Sequence, residues 1–490
     1  MLTEKSGYEA ACGLGLNILS RETLDTIHFA ACRLLRTTGV TVEHQGAADR
    51  LSAAGARVLR RGEFWRVHIP EWLINDALAS APKSLVLGAR NPENDYYLER
   101  GRVGFSTFGE QVKIIDLETR EYRSSVRADA RQVYKVVDAL PGMVVGSRTL
   151  CPNDLPMMLQ QPHNFYDALT CTSKHIWMGL SNAPTIELAR KMVIAVMGEE
   201  KARQKPINTV TCCPTSPLTL VDMCCLNMIG AAESEVMNIE VMEMCLAGGT
   251  SPVNLAATVI QTIAEHLSGI VLAQVARKGV PTLMGTCSSN LDLKNGLSPM
   301  ASPENSLIAS CVTKMAAYYK LPIRAGAGVS ESKIPDAQAG YEYAANALTL
   351  ALAGANVIWG AGGIDSGLGI DYAKLLMDHE FGNNVRFMLQ GVPVNNEEMA
   401  LELMEEVGPG GSYLTHKHTF KRARSQSKYQ LFDRSPFATW QGAGAKTMTE
   451  RAYDQARKII ETYEPQALEA SVQAELDSLL ADFVKQYGPK

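Results

Sequence analysis

Leu321-Pro-Ile-Arg-Ala-Gly-Ala-Gly-Val-Ser-Glu-Ser-Lys-Ile-Pro-Asp-Ala-Gln-Ala-Gly-Tyr-Glu342 is the stretch whose pattern decides the fold. Its apolar beginning ends on glycines and predicts a buried strand. A loop with Glu331 and Lys333 follows. Pro335 and Asp336 then predict the first turn of a helix, where proline loses no usable N–H and aspartate complements the helix dipole. In parallel α/β folds, the segments just past the carboxyl ends of strands carry the chemistry.

Similar apolar runs recur on both sides of this stretch. Eight of them read as short strands: Val103–Thr107, Met143–Leu150, His175–Leu180, Ile207–Cys213, Asn238–Met244, Pro281–Thr286, Pro322–Gly326 and Asn356–Gly360. Successive runs start 31 to 43 residues apart, which suits strand–helix–strand units of about 30 residues or more. Together they match the size of a (β/α)₈ barrel, typically about 250 residues. A doubly wound sheet is the rival fold, because a strand count from one sequence is error-prone.

Helical periodicity separates several of these strands and fills both flanks. The clearest segments are Ile186–Met197, Val253–Ala276, Ala339–Gly354, Glu22–Thr38, Pro70–Ala79, Glu397–Glu406, Thr449–Tyr463 and Glu469–Tyr487. A polar, turn-rich stretch at 91–102 marks the first boundary. We therefore expect an α/β protein with a (β/α)₈ TIM barrel over residues 96–385. An N-terminal helical extension over 1–95 precedes it, and a C-terminal helical extension over 386–490 packs on the barrel.

Composition excludes several classes of protein. The net charge is −5 over 490 residues and no basic stripe dominates, so we expect neither nucleic acid nor an anionic membrane as a partner. The first residues show no basic region followed by an apolar run, and no stretch of eighteen uninterrupted apolar residues exists. The eleven cysteines form no CxxC motif. We expect a soluble cytoplasmic protein with reduced, mostly buried thiols.

The most metal-like feature is His416-Lys-His418, which has no third ligand at useful spacing. Zinc needs three or four converging ligands. Cys212, Cys213 and Cys287 follow or end predicted strands and could supply thiolates, but no HxC or CxxC spacing supports them. We expect no metal site, and a zinc-dependent enzyme stays open as an alternative.

Aromatic residues cluster at the strand positions that would face a barrel mouth. Phe105, Phe108, Trp177 and Trp359 fall in or just after the first, third and eighth predicted strands. Rings converging there would form a cage for a cationic ligand, worth about 0.5–2 kcal/mol per ring. The alternative is ordinary packing in the barrel core, which is the better explanation of any single ring taken alone.

Charged residues near the same strand ends add a second set of candidates. Glu110, Glu331 and Asp365 could stabilise a cation or cap a helix. Lys333 could pair with a substrate carboxylate or with Glu331, two residues away. Both interpretations remain open from the sequence.

The chain resembles the trimethylamine methyltransferase family, also called the MttB superfamily. The resemblance runs through nearly the whole chain and is clearest in Phe105–Glu110, Val136–Pro141, Cys213–Pro217, Ala325–Glu342, Gly408–Thr419 and Trp440–Ala452. It implies a (β/α)₈ barrel. It also implies transfer of a methyl group from a methylated amine to the Co(I) centre of a separate, small corrinoid protein. Cobalamin would then come with the partner, and no cofactor would be bound tightly by this chain.

One departure from the family is informative. The archaeal trimethylamine enzymes carry pyrrolysine, whereas this chain has only the twenty standard residues. The segment Ser330-Glu-Ser-Lys-Ile334 looks like the neighbourhood of that residue, with Lys333 as a possible occupant of its place. A quaternary amine already carries the charge that activates a methyl group for attack, so orientation and water exclusion suffice.

The resemblance therefore implies the non-pyrrolysine subgroup, which includes glycine betaine methyltransferase. We expect glycine betaine as substrate, giving dimethylglycine and methyl-Co(III). Proline betaine, carnitine or another betaine is the alternative. A non-catalytic betaine-binding protein on the same barrel is the alternative from another class.

A betaine also carries a carboxylate, so its site needs an aromatic wall and a cation or N–H donors. The wall would comprise Phe105, Phe108, Trp177 and Trp359. Arg324 or Lys333 would hold the carboxylate, with the acids Glu331 and Asp365 nearby. No catalytic acid or base is identified, and symmetric self-association is the prior expectation for such a barrel.

Overall fold

The computed structural model describes residues 16–99 and 101–489, and its centre is a closed barrel of eight parallel strands. The barrel strands are β1 Gly104–Thr107, β2 Met143–Ser147, β3 His175–Met178, β4 Asn208–Cys212, β5 Asn238–Glu243, β6 Thr282–Thr286, β7 Ile323–Gly326 and β8 Val357–Ala361. Each strand pairs with the next along the chain, and β8 pairs with β1 through Ile358 and Phe105. The predicted (β/α)₈ barrel is confirmed. A doubly wound sheet is excluded, because such a sheet would have two open edges.

Helices follow every barrel strand and also form both flanks. They are α1 Arg21–Thr37, α2 Gln45–Ala53, α3 Glu71–Ser80, α4 Arg127–Ala139, α5 Met157–Cys171, α6 Ala183–Met197, α7 Glu199–Gln204, α8 Asp222–Ser234, α9 Leu255–Ala276, α10 Pro303–Tyr319, α11 Ala337–Ala353, α12 Tyr372–Leu389, α13 Asn396–Met399, α14 Leu401–Val407, α15 Lys417–Arg422, α16 Phe437–Gly442, α17 Met448–Thr462 and α18 Ala470–Tyr487. The sequence predicts Pro335 and Asp336 in the first turn of α11, but the helix starts at Ala337, so both residues precede it. Asp336 is the residue before the helix, and its side chain accepts from the Ala339 N–H at 3.1 Å.

Short strands outside the barrel build its accessory sheets. They are Val40–Val42, Arg57–Arg61, Phe64–His68, Leu85–Leu87, Tyr96–Leu98, Lys113–Ile115, Tyr122–Ser124, Thr219–Leu220, Leu246–Ala247, Ser289–Asn290, Gly363–Ile364 and Gly369–Ile370. The N-terminal flank was expected to be helical, but Arg57–Arg61 and Phe64–His68 form an antiparallel hairpin there. Gly62, at φ 66°, supplies the turn between these two strands.

The long helix α9 is apolar and long enough to cross a membrane by length and composition. In this fold it is a core helix, because most of it is buried and it packs against α1, α3, α8 and α10. Glu265 is the one acidic residue of α9, and it is fully buried. Helix α9 thus belongs to the layer that surrounds β5 and β6.

A second hairpin closes the amino-terminal end of the barrel. Its strands, Leu85–Leu87 and Tyr96–Leu98, pack against the inward-facing side chains of Val145, Leu283 and Val357. The Tyr96 hydroxyl also donates to the carbonyl oxygen of Asn356, just before β8, at 3.3 Å. Within the described residues, the hairpin covers this end of the barrel. We call the opposite end, where the carboxyl ends of the strands lie, the mouth.

The C-terminal helices pack on the barrel only in part. Helix α17 packs against α12 and α4, and α18 packs against α5 and α6. The predicted helix over Glu397–Glu406 is in fact two short helices, α13 and α14, because Ala400 between them has a left-handed backbone at φ 46°.

Candidate functional site

A carboxylate at the centre of the barrel organises the inner end of the mouth. Glu240 lies on β5, is fully buried, and accepts hydrogen bonds from the Trp177 indole N–H at 2.8 Å and the Thr211 hydroxyl at 2.7 Å. Its oxygens also lie 3.5 Å from the guanidinium of Arg324 on β7. Alternate residues of a barrel strand point inward, so β3, β4, β5 and β7 bring these four groups together. Gly285 on β6 leaves the space that the Glu240 side chain fills, since a Cβ there would lie 2.4 Å from Glu240 Oε1.

The Arg324 guanidinium lies between two indole rings. Its Cζ is 4.9 Å from the ring centre of Trp177 and 5.6 Å from that of Trp359. Burial lowers the pKa of Arg324, while the charge of Glu240 and its hydrogen bond oppose that effect. The Arg324 Nε is buried and has no hydrogen-bond acceptor. The site therefore holds a guanidinium in cation–π contact with two indole rings, and the Nε–H of Arg324 is left without an acceptor.

The second half of the mouth is an aromatic stack. Phe108, in the loop after β1, lies with its ring 5.0 Å from that of Trp359 at an interplanar angle of 24°. Gly326 on β7 gives Trp359 its position, because a Cβ there would come within 2.3 Å of the indole. The Trp359 N–H donates to the Thr286 carbonyl at 3.3 Å. Phe108 is half-buried, so it is the ring of this stack nearest to solvent.

Sulfur-containing side chains complete the apolar lining. Met242, Cys287 and Met300 form one buried cluster with Trp359, and Phe108 packs against it. Burial raises the pKa of Cys287 to about 12, so it is an unreactive thiol at neutral pH. No three His, Cys, Asp or Glu side chains within residues 16–99 and 101–489 converge in a way that could hold a metal ion.

Three predicted site residues lie at the rim and tie its loops together. Glu331 accepts from the Met300 N–H at 2.6 Å and from the Ser366 hydroxyl. Lys333 is exposed, and its Nζ lies 2.7 Å from the Glu331 carbonyl oxygen and 3.2 Å from Asp365. These contacts join the loops that follow β6, β7 and β8, so their direct effect is to fix the rim.

Phe105 occupies a different place from the other predicted aromatics. It lies on β1 with its side chain pointing outward, where it packs so closely on Gly382 of α12 that a Cβ there would lie 3.0 Å from the ring. The structure thus brings Phe108, Trp177, Arg324 and Trp359 together and leaves Phe105 in the layer between strand and helix.

Two buried glutamates, Glu243 on β5 and Glu265 on α9, lie next to each other behind the mouth. Glu243 is fully buried, and neither of its oxygens receives a hydrogen bond. Burial first, and the neighbouring Glu265 second, raise the pKa of Glu243 well above its ordinary value. Glu265 itself accepts from the Ser216 hydroxyl at 2.6 Å and the Leu218 N–H at 2.8 Å. The raised pKa of Glu243 favours the form that carries a proton and could donate it to Glu265, whose own hydrogen bonds fix the loop after β4.

Sequence reasoning missed both Glu240 and Glu243. A signal for them existed, because the two acids interrupt the otherwise apolar run Asn238–Met244 at a spacing of three residues. A charged residue in a buried strand needs a partner, and such an interruption marks a functional or structural site.

Comparison with known proteins identifies the family of this chain and agrees with its fold. The family model described as trimethylamine methyltransferase (MTTB) matches residues 12–487. The chain is 38% identical over 485 residues to trimethylamine methyltransferase MttB of Desulfitobacterium hafniense, covering 99% of this chain and 97% of that protein. It is 28% identical over 480 residues to the glycine betaine methyltransferase of a Desulfitobacterium hafniense strain, covering 96% and 98% of the two chains.

A solved structure is similar in fold. The crystal structure of the hydroxylamine MtmB complex aligns with a TM-score of 0.50 and 12% sequence identity, covering 93% of this chain and 89% of that one. At this level of identity the likeness concerns the architecture of the barrel and its flanks.

Proposed function

This chain belongs to the trimethylamine methyltransferase family, and we propose that it transfers a methyl group from glycine betaine to the Co(I) of a cognate corrinoid protein. That the protein is a methyltransferase follows from its relatives, which match over nearly its whole length. The non-catalytic betaine-binding alternative is accordingly set aside. The substrate and the corrinoid partner are the proposed part.

The proposed reaction needs no proton transfer. The electron pair of Co(I) attacks the methyl carbon opposite the nitrogen, the C–N bond breaks, and its electron pair remains on nitrogen. Dimethylglycine leaves as a neutral amine, while the acceptor becomes methyl-Co(III). The corrinoid protein is a second substrate in this scheme. The chain's own side chains bind the donor, orient one methyl group toward the mouth and exclude water.

The observation that carries the proposal is the buried Arg324 between Trp177 and Trp359. Its Nε is a free N–H donor, which suits a carboxylate, while Glu240 and the faces of the rings suit an ammonium group. A zwitterion such as a betaine complements both signs of charge at once. Trimethylamine has no carboxylate and would leave the donor without an acceptor, which disfavours it.

Roles for the remaining candidates follow from their positions. Trp359 and Phe108 form the wall against which the onium group packs. Glu331, Lys333 and Asp365 hold the rim loops that carry this wall, and they act on the substrate only through it. Proline betaine and carnitine share the zwitterionic pattern and are the competing substrates.

A substrate panel tests the proposal. The purified protein is mixed with a reduced corrinoid protein and with glycine betaine, proline betaine, carnitine or trimethylamine, and methyl-Co(III) is followed by its absorbance. Dimethylglycine is identified by NMR. We expect the highest kcat/KM with glycine betaine. Faster turnover of trimethylamine than of every betaine would contradict the proposal, as would failure to methylate cobalt with any donor.

A Co(I) acceptor persists only where oxidants are scarce. The ten described cysteines are all free thiols, which fits a reducing compartment. We place the reaction in the cytoplasm on this basis.

A further inference from the structure

Within the described residues, the segment 391–430 packs little against the rest of the chain. Buried residues flank it, since Leu389 at the end of α12 and Leu431 are each 3% exposed. Between them no residue is buried. We call this segment, which contains α13, α14 and α15, the arm.

The arm exposes large apolar side chains that a lone chain would bury. They are Val392, Val394, Met399, Leu401, Met404, Tyr413, Leu414, Phe420 and Tyr429. Leu414 is 83% exposed and Phe420 is 86% exposed. Helices shorter than about 12 residues are unstable without tertiary packing, and α14, with seven residues, is the longest helix in the arm. The arm is therefore a surface that needs a partner.

Charge divides the arm into two opposite halves. Residues 396–407 contain five glutamates and no basic residue, whereas residues 416–424 contain four Lys or Arg and no acid. Within one chain only part of this charge is paired. Arg422 lies 2.7 Å from Glu397 and 2.9 Å from Glu398, and His416 Nε2 lies 3.6 Å from Glu406. Glu402, Glu405, Lys417, Lys421 and Arg424 form no ion pair within the described residues. An acidic half and a basic half on the same segment are complementary to a second copy of that segment.

The position of the arm separates it from the mouth. Helix α12 follows the loop after β8 at the carboxyl ends of the strands, and its 18 residues extend about 27 Å toward the opposite end. The arm leaves the barrel there. A partner that must reach the mouth would not need this surface.

We propose that the arm is a self-association surface, covered by the arm of a second copy of this chain. The acidic half of each arm faces the basic half of the other across a two-fold axis, and Leu414 and Phe420 lie buried between them. A two-fold arrangement satisfies both charge pairings at once, because the same patch serves on both subunits.

Reciprocal charge reversal on the full chain tests this. One variant carries Glu402→Lys and Glu405→Lys, and the other carries Lys421→Glu and Arg424→Glu. Sedimentation velocity should show that each variant alone dissociates, with a dissociation constant raised about tenfold or more. An equimolar mixture should associate again, because the two lysines introduced into one arm then face the two glutamates introduced into the other, while the two natural halves face each other at the second contact.

The control variant carries Glu200→Lys and Lys201→Glu, two exposed positions on α7. It should sediment like the natural chain. A third variant, Leu414→Ser with Phe420→Ser, should also dissociate while its circular dichroism and melting temperature at matched monomer content stay unchanged. A natural chain that is monomeric at micromolar concentration would overturn the proposal. So would reversal variants that keep its oligomeric state, including the case in which they lose only corrinoid-protein binding.

Discussion

The guanidinium of Arg324 remains charged inside the barrel because Glu240 and two indole rings surround it. A lysine at this position would keep the charge but lose the planar fork and the spare Nε–H. We expect Arg324→Lys to raise the KM for glycine betaine about tenfold or more with a smaller change in kcat, measured by initial rates of methyl-Co(III) formation.

The control for that variant is Arg127→Lys. Arg127 makes a bidentate pair with Asp167 at 2.7 and 2.8 Å between α4 and α5, outside the barrel. The KM of the Arg127→Lys variant for glycine betaine should stay within about twofold of the natural value. Equal losses in both variants would mean that Arg324 supports the fold and not the substrate.

Glu243 gives the protein a stability that depends on pH. Because the pKa of Glu243 is raised in the fold, the folded chain keeps a proton at pH values where the unfolded chain has already released it. Raising the pH above the ordinary range for glutamate therefore lowers the free energy of unfolding. We expect Glu243→Gln to remove this slope and to raise the melting temperature at pH 8 by about 1–3 °C. Scanning calorimetry at pH 5 and pH 8 measures it.

Glutamine fits this site because it retains a donor for Glu265 without a charge. The exposed Glu63→Gln is the control and should leave both melting temperatures unchanged. A Glu243→Gln variant that is less stable than the natural chain at pH 8 would show that Glu243 is ionised in the fold.

At the scale of elements, glycines set how β7 and β8 approach each other. The Gly326 position admits the Trp359 ring, and Gly328 and Gly360 lie so close that a Cβ on Gly328 would meet the Gly360 carbonyl carbon at 2.4 Å. Helix α12 supports the same loops from outside, since Lys374 donates to the Gly328 carbonyl at 2.9 Å. The wall of the mouth is thus positioned by backbone contact.

We therefore expect Gly326→Ala to displace the Trp359 ring and to lower kcat/KM for a betaine about tenfold or more. Gly340→Ala is the matched control. Gly340 lies on α11 with no atom within 4 Å of its would-be Cβ, so alanine should stabilise the protein by about 0.5–1 kcal/mol and leave the rate unchanged. Steady-state kinetics and thermal unfolding of both variants separate the two effects, and an unchanged rate in Gly326→Ala would remove Trp359 from the proposed wall.

At the scale of the whole molecule, α18 holds the barrel from outside without reaching the mouth. Leu476 on this helix is fully buried, and α18 packs on α5 and α6. We expect Leu476→Ala to cost about 2–5 kcal/mol of stability. Its kcat/KM at 20 °C should remain within about twofold of the natural value, and denaturant unfolding with parallel assays will show whether stability and rate separate in this way.

The barrel could be predicted because each strand is a local apolar run and the runs recur at regular intervals. Trp177, Arg324 and Trp359 could be selected because they lie in those runs, and strands of a parallel barrel converge. The pairing of Glu240 with Arg324 could not, since it joins residues 84 apart through space. That Phe105 points outward from β1 depends on the register of this strand, which one sequence does not reveal. Within the arm, the sequence predicts only a helix over Glu397–Glu406, because the pattern reports helical periodicity but not whether anything packs on it.

Within the described residues, the hairpin of Leu85–Leu87 and Tyr96–Leu98 covers the amino-terminal end of the barrel and leaves the mouth as the entrance. Both substrates of the proposed reaction must use it, and the corrinoid protein is far larger than a betaine. The amine must consequently enter first, and the kinetics should show a compulsory order. Corrinoid protein in excess over a scarce amine would then form a dead-end complex and slow the reaction that it normally completes.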